Sequence, residues 1–248
     1  MYKRQVYEVV GALLLLSAVA VALTPESRVR RPGAWASLRP DVRIPVATRR
    51  TFTAVLGSMA ASWVLVGLYL VFVPDVLSAS FGIPSPLVSG AVIALLTGVG
   101  ALTGFLIRGA DAERAMRMGV VALLVGPTVS VAAVWLDSPL AFVASTVVAG
   151  IGFGAGFQAG LRLLLATAPA EERAGLLSSV YVVSYLAFGL PAVAAGAAEP
   201  LIGLNWTVTA YGALVLLAAI TTLVLQRTMR RSRAAEDRAD VRERELRR

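Results

Sequence analysis

Four stretches of this chain are nearly free of charge, and that constrains its fold more than any other feature. Residues 9–25 carry no charged side chain; 51–107 carry only Asp75, 118–161 only Asp137, and 174–226 only Glu199. A bilayer-spanning helix needs about 20 apolar residues. The first stretch fits one span, and each of the others fits two spans joined by a short turn that holds its single acid. The expected fold class is therefore an all-α integral membrane protein of about seven transmembrane helices, at 6–23, 51–73, 87–107, 118–136, 140–165, 174–198 and 203–226. The turns have breaker chemistry: Pro74-Asp75 through Pro86, Asp137-Ser138-Pro139, and Glu199-Pro200.

Arginine placement orients these spans. Arg28, Arg30, Arg31, Arg39, Arg43, Arg49 and Arg50 lie in the segment 24–50, Arg108, Arg114 and Arg117 between two spans, Arg162 and Arg173 near the next such junction, and nine more from Arg227 onward. The three acidic turns hold none. Basic loops stay in the cytoplasm, so the expected organisation is a transmembrane helix over 1–23, a basic cytoplasmic linker over 24–50, a six-helix bundle over 51–226 and a charged cytoplasmic tail over 227–248. The chain is then a multi-pass protein of the cell (inner) membrane with its N-terminus outside, against the signal of Lys3 and Arg4. Ser17-Ala18-Val19-Ala20 also has the small residues of a signal-peptidase site; continuation of the apolar run through Leu23 favours a retained helix. Trp135 and Trp206 fall at the outer edge, where interfacial aromatics gather. The tail reads as a solvated mixed-charge helix, and the linker arginines with Trp35 either contact anionic headgroups or only set orientation.

The absence of His and Cys removes disulfides, the usual zinc and haem ligands and the common nucleophile pairs. No enzyme, metal or cofactor is expected. The net charge of +8 sits in loop clusters between apolar runs, which argues for a lipid bilayer as partner and against nucleic acid.

A basic linker followed by three helical hairpins resembles the second half of a major facilitator superfamily transporter, a family of twelve spans in two six-helix halves. Thr24-Pro25-Glu26-Ser27-Arg28 is similar to the motif closing the family's sixth helix, the glycine-rich run from Gly150 to Gly160 to its tenth, and Ala168-Pro169-Ala170-Glu171-Glu172-Arg173 to the loop entering its eleventh. Where the family's signature between its eighth and ninth helices has Asp, Arg108 stands here, followed by Asp111, Glu113 and Arg114. The resemblance implies the sixth to twelfth helices, a secondary transporter of small molecules with a lean toward efflux, and a substrate cavity completed by an N-terminal half or a second copy. The alternative is a non-transporting assembly or regulatory protein built on a half-transporter.

At about 1.5 Å per residue, Gln158 and Tyr185 lie roughly 16 Å, and Trp63 roughly 18 Å, from the inner ends of their spans. Polar-tipped side chains at mid-depth either face a wet cavity or hydrogen-bond between helices. Trp63, Gln158 and Tyr185, with Tyr181 and Ser178 on the same helix face as Tyr185, are the substrate-cavity candidates. Arg162, roughly 10 Å inside, either snorkels to headgroups or acts as a gate or anion contact. Pro127, Gly189 and Pro191 are hinge candidates. Gly150-x-Gly152-x-x-Ala155, with Glu171 about the right distance on, passes a dinucleotide fingerprint but lacks its strand; the small residues four apart among Gly150, Gly152, Gly154, Gly156 and Gly160 read as helix packing in lipid. The lone Lys3 excludes a retinal Schiff base in the last helix, the short outer turns argue against a receptor, and no acid pairs within a span point to an intramembrane enzyme.

Overall fold

The computed structural model describes residues 2–24 and 44–246, with side-chain surroundings for 7–24, 44–46 and 48–228. Most of the basic linker, including Trp35 and the Pro25-Glu26-Ser27 motif, lies outside them. Two compact units divide the chain near residue 40. The first contains one described helix, α1 (Tyr2–Leu23), whose apolar part is Tyr7–Leu23. The second contains six helices: α2 (Arg49–Asp75), α3 (Pro86–Leu106), α4 (Ala112–Trp135), α5 (Pro139–Thr167), α6 (Arg173–Ile202) and α7 (Leu204–Leu246). These six are long and apolar enough to cross a membrane. Among the described residues the chain is thus an all-α multi-pass membrane protein with six clear spans and a seventh, shorter apolar helix.

Helix ends follow local chemistry. The side chains of Ser85, Asp111 and Ser138 accept hydrogen bonds from the backbone N–H groups three residues on, at 3.4, 2.9 and 3.5 Å, and cap α3, α4 and α5. Pro86 and Pro139 occupy first-turn positions, where the missing N–H costs nothing. With Asp111 as cap, α4 begins at Ala112, six residues before the expected span, because the charged first turn is helical without being apolar. The expected break at Glu199-Pro200 does not form. α6 continues through Pro200 to Ile202, and the turn is made at Gly203, whose φ of +82° suits glycine and whose N–H donates to Glu199 O at 2.8 Å. α2 passes through Pro74 and closes in one wide, π-type turn over Val76–Ser80.

Packing is organised around two central helices. α5 packs against α4, α3 and α2; α2 packs also against α6 and α7, and α4 against α7. α3 rests mainly on α5 and α6 mainly on α2, and the two do not pack on each other. The result is a front row of α3, α5, α2 and α6 with α4 and α7 behind. Glycines make the α5 contacts. A Cβ on Gly150 would meet Leu96 O of α3 at 2.8 Å, and one on Gly154 would strike the backbone of Gly100. Gly152 lies 2.7 Å by the same measure from Leu123 N of α4, Gly156 2.8 Å from Ser58 Oγ of α2, and Gly160 3.2 Å from Met59 Cγ. α4 reciprocates: a Cβ on Gly126 would lie 2.6 Å from Ala149 N.

These contacts sort the glycines by consequence. Overpacking at a helix contact costs about 1–3 kcal/mol, so Gly154→Ala should lower the midpoint of thermal unfolding in detergent by several degrees. A methyl group added at Gly189 would meet nothing within 4 Å, so Gly189→Ala should leave the midpoint unchanged or slightly raised. Circular dichroism melting of the two variants checks both.

Candidate functional site

Mid-depth on the front row is aromatic. Trp63, Phe153 and Phe188 lie at or next to the midpoints of α2, α5 and α6, helices of 27, 29 and 30 residues. Trp63 is the hub: its ring centroid is 6.5 Å from Phe153, 6.0 Å from Phe157, 6.1 Å from Tyr185 and 6.4 Å from Phe188. Three of these pairs are edge-on, the arrangement aromatic quadrupoles favour. Its indole Nε1 is buried and makes no hydrogen bond, as is true of Ser184 Oγ beside Tyr185 in sequence. Tyr185 is 66% exposed and Tyr181 56%, and Ser178 is half-buried with its hydroxyl donating to Ala174 O at 3.1 Å. The structure thus brings Trp63 and Tyr185 into ring contact and leaves both tyrosines of α6 on the open face.

Gln158 belongs to an adjoining feature. It lines an open groove of about 390 Å³ between α3 and α5, with Thr97, Gly100, Ala101, Gly104, Phe105 and Arg108 on one wall and Phe153, Gly154 and Phe157 on the other. Phe153 and Phe157 are shared with the Trp63 cluster, so the two regions are continuous. Gly104 is what makes the groove: a Cβ there would come no nearer than 3.8 Å to Gln158.

Arg162 is engaged with the protein itself. Its guanidinium donates to Ile107 O at 2.7 Å and to Ala110 O at 2.5 Å. Ile107 is the C-cap of α3, where carbonyls lack partners within the helix and the dipole is negative. The planar fork closes both ends of the α3–α4 turn.

The hinge candidates differ from one another. Pro127 is buried beside Gly126, at the tight crossing of α4 on α5. Pro191 and Gly189 lie within the continuous α6, with open space around Gly189. Pro191 deprives Ala187 O of its intrahelical donor.

Sequence reasoning missed a buried polar knot one to two turns from the acidic end of the bundle. Tyr69 OH of α2 is 2.9 Å from Ser130 Oγ of α4 and 3.1 Å from Thr146 Oγ1 of α5, and Ser130 Oγ is 2.8 Å from Ser145 Oγ. All four residues are buried. Their similar distance from the acidic-turn ends of their helices was the available signal. It also missed Phe153, Phe157 and Phe188 as partners of Trp63. Trp135 and Trp206 form an edge-on pair at 5.2 Å, with Trp135 Nε1 donating to Thr209 Oγ1 at 2.9 Å, which ties α4 to α7.

Two substitutions test these roles. Arg162→Met removes both donors to the α3–α4 turn and should cost about 1–3 kcal/mol, with amide exchange accelerating locally at 107–111; Arg162→Lys should recover part of the loss. Tyr69→Phe should cost roughly 1 kcal/mol without altering exchange at that turn. Comparison of the chain with family models, with curated proteins and with solved structures finds no match.

Proposed function

We propose that this chain is one half of a secondary transporter of the major facilitator type, moving a small organic molecule, with a lean toward efflux, through a cavity whose wall is the front row of α3, α5, α2 and α6. The opposite wall is a second six-helix half, joined to this chain, on a separate chain, or a second copy. The observation that carries the reading is the open aromatic face: Tyr181 and Tyr185 are more than half exposed beside the Trp63 cluster. Phenolic hydroxyls halfway through a bilayer are poorly served by lipid tails and well served by a hydrated cavity.

Further support comes from the distribution of polar groups. Within the apolar, membrane-length parts of the bundle's helices the described acids sit near the ends: Asp75, Glu113 and Glu199. Substrate recognition by this half then rests on aromatic faces, hydroxyls and amides, with any intramembrane proton-carrying carboxylate on the other half. Basic residues mark the cytoplasmic side, so the tail and the α3–α4 turn are inside. α1 adds a seventh crossing with its N-terminus outside; its 17 apolar residues, Tyr7–Leu23, are at the short end for a span. α6, open-faced and carrying Gly189 and Pro191, is the element best placed to flex during the cycle.

The chain contains no cysteine, so single-cysteine labelling reads each face cleanly. In membranes, Tyr185→Cys should react with a water-soluble maleimide. Val125→Cys, exposed near the middle of α4 on the back of the bundle, should not, because a thiol in lipid does not ionise. Equal protection of both positions would mean lipid covers the front row and would remove the cavity. In proteoliposomes holding both halves, Tyr185→Phe and Gln158→Ala should change which solutes are carried.

A further inference from the structure

The groove between α3 and α5 has a chemistry of its own. Arg108 stands at its basic end with its guanidinium carbon 4.2 Å from the centroid of the Phe105 ring, and it has no carboxylate partner among the described residues. The adjacent acids are committed elsewhere: Asp111 accepts from Arg114 N at 2.9 Å and Glu113 pairs with Arg117 at 4.0 Å. Of the other nearby cations, Arg117 pairs with Glu113, Arg162 is held by the carbonyls of Ile107 and Ala110, and Arg114 does not line the groove. Deeper in the groove the half-buried Gln158 amide makes no hydrogen bond to any described residue. No acid lines the groove. Gly104 abuts Gln158, and Arg108 follows one turn later, so the backbone levels of the groove's two polar ends are roughly 6 Å apart along the α3 axis.

We infer that this groove binds an amphiphilic organic anion: an aromatic carboxylate whose charge meets Arg108, whose ring lies against Phe105, Phe153 and Phe157, and whose second polar group meets the Gln158 amide. A cation would find no counter-charge here, and a neutral aromatic would leave Arg108 unused. A phospholipid would satisfy Arg108 but lay an acyl chain over the Gln158 amide, which favours a compact solute with two polar ends. The volume of about 390 Å³ is within the range of small-ligand sites. The inference rests on the transporter reading only for what carries the solute to the groove.

The test uses the full chain in phosphatidylcholine nanodiscs with radiolabelled 6-hydroxy-2-naphthoate as probe. Saturable binding is expected, competed by other aryl carboxylates and not by naphthylmethylamine. Arg108→Gln should weaken it about tenfold or more, the scale of a lost charge-assisted hydrogen bond. Arg114→Gln, at the same level but outside the groove, should not. Gly104→Leu should abolish binding by filling the groove, with a thermal melt checking that the fold is kept; a Cβ at 104 meets only the Gln158 side chain, at 3.8 Å. The proposal is overturned by wild-type protein that binds no aryl carboxylate saturably, by equal affinity in Arg108→Gln, or by tight stoichiometric retention of phosphatidylglycerol that depends on Arg108 and excludes the probe. Arg108-dependent binding without uptake in any assembly of the protein would sink the transport reading and leave the groove intact. Uptake of a neutral or cationic solute indifferent to Arg108→Gln would do the reverse.

Discussion

The close approach of α5 to three neighbours is the constraint on which the rest of this structure depends. In lipid, helices gain little from hiding apolar surface, so association relies on van der Waals contact and interhelical hydrogen bonds. Contact of that kind needs backbones near one another. Gly150 and Gly154 admit α3, Gly152 admits α4, and Gly156 with Gly160 admits α2. The glycines fall on three sides of one helix because a step of two residues turns by about 200° around an α-helix of 3.6 residues per turn. A run of alternating glycines is therefore an all-round packing device, whereas a strict spacing of four would serve one partner. Phe157 and Gln158 fall on either flank of the side that Gly154 presents to α3, which is how both reach the groove.

The two ends of the bundle are fixed by different means. Toward the acidic turns, the Tyr69 hydroxyl reaches Ser130 and Thr146 and joins three helices through side chains. Such a knot is fully satisfied only when α2, α4 and α5 are in register, so it specifies as well as stabilises. At the basic end, Arg162 acts on the backbone instead, donating to Ile107 O, which also accepts from Ala110 N at 2.9 Å, and to Ala110 O. Between these two locks lies the aromatic layer around Trp63, joined by ring contacts and a long hydrogen bond from Ser62 Oγ to Phe153 O at 3.5 Å, with indole Nε1 left without a partner. The middle of the front row is the least polar-bonded part of the bundle and the most open.

Much of the fold is legible in the sequence because charge in a membrane protein is costly and hence sparse. Uncharged runs locate the six long helices to within a few residues at most ends. The misses have physical causes. Apolarity starts α4 six residues late because a capped, charged turn is helical without being apolar, and α6 runs past Pro200 because the reversal is made three residues later at Gly203, whose positive φ suits glycine. The site is less legible. Depth along a helix can be counted, which puts Trp63, Gln158 and Tyr185 at one level. Azimuth cannot be counted without knowing the neighbours, so the phenylalanines around Trp63 and the binding of Arg162 to carbonyls are invisible in the sequence. Headgroups or an anion are the partners that sequence offers Arg162; the carbonyl ends of the adjacent helix are the ones it takes.

Arg108 is the converse case. It sits where the resembling family carries an acid, and in a bundle whose basic end needs arginines for orientation it would pass as one more topological charge. Its place in the groove sets it apart from Arg114, which does not line it, and its lack of a partner sets it apart from the other arginines around it. Arg117 has Glu113, Arg162 has two carbonyls, and Arg173 donates to Ala168 O at 3.3 Å. Arg108 has only the face of Phe105, a contact that orients a guanidinium while leaving its donors free. A cation held in place but not neutralised, at the mouth of a groove with aromatic walls and a free amide inside, is arranged for an anion arriving from outside the chain. An orientation signal alone requires none of that placement.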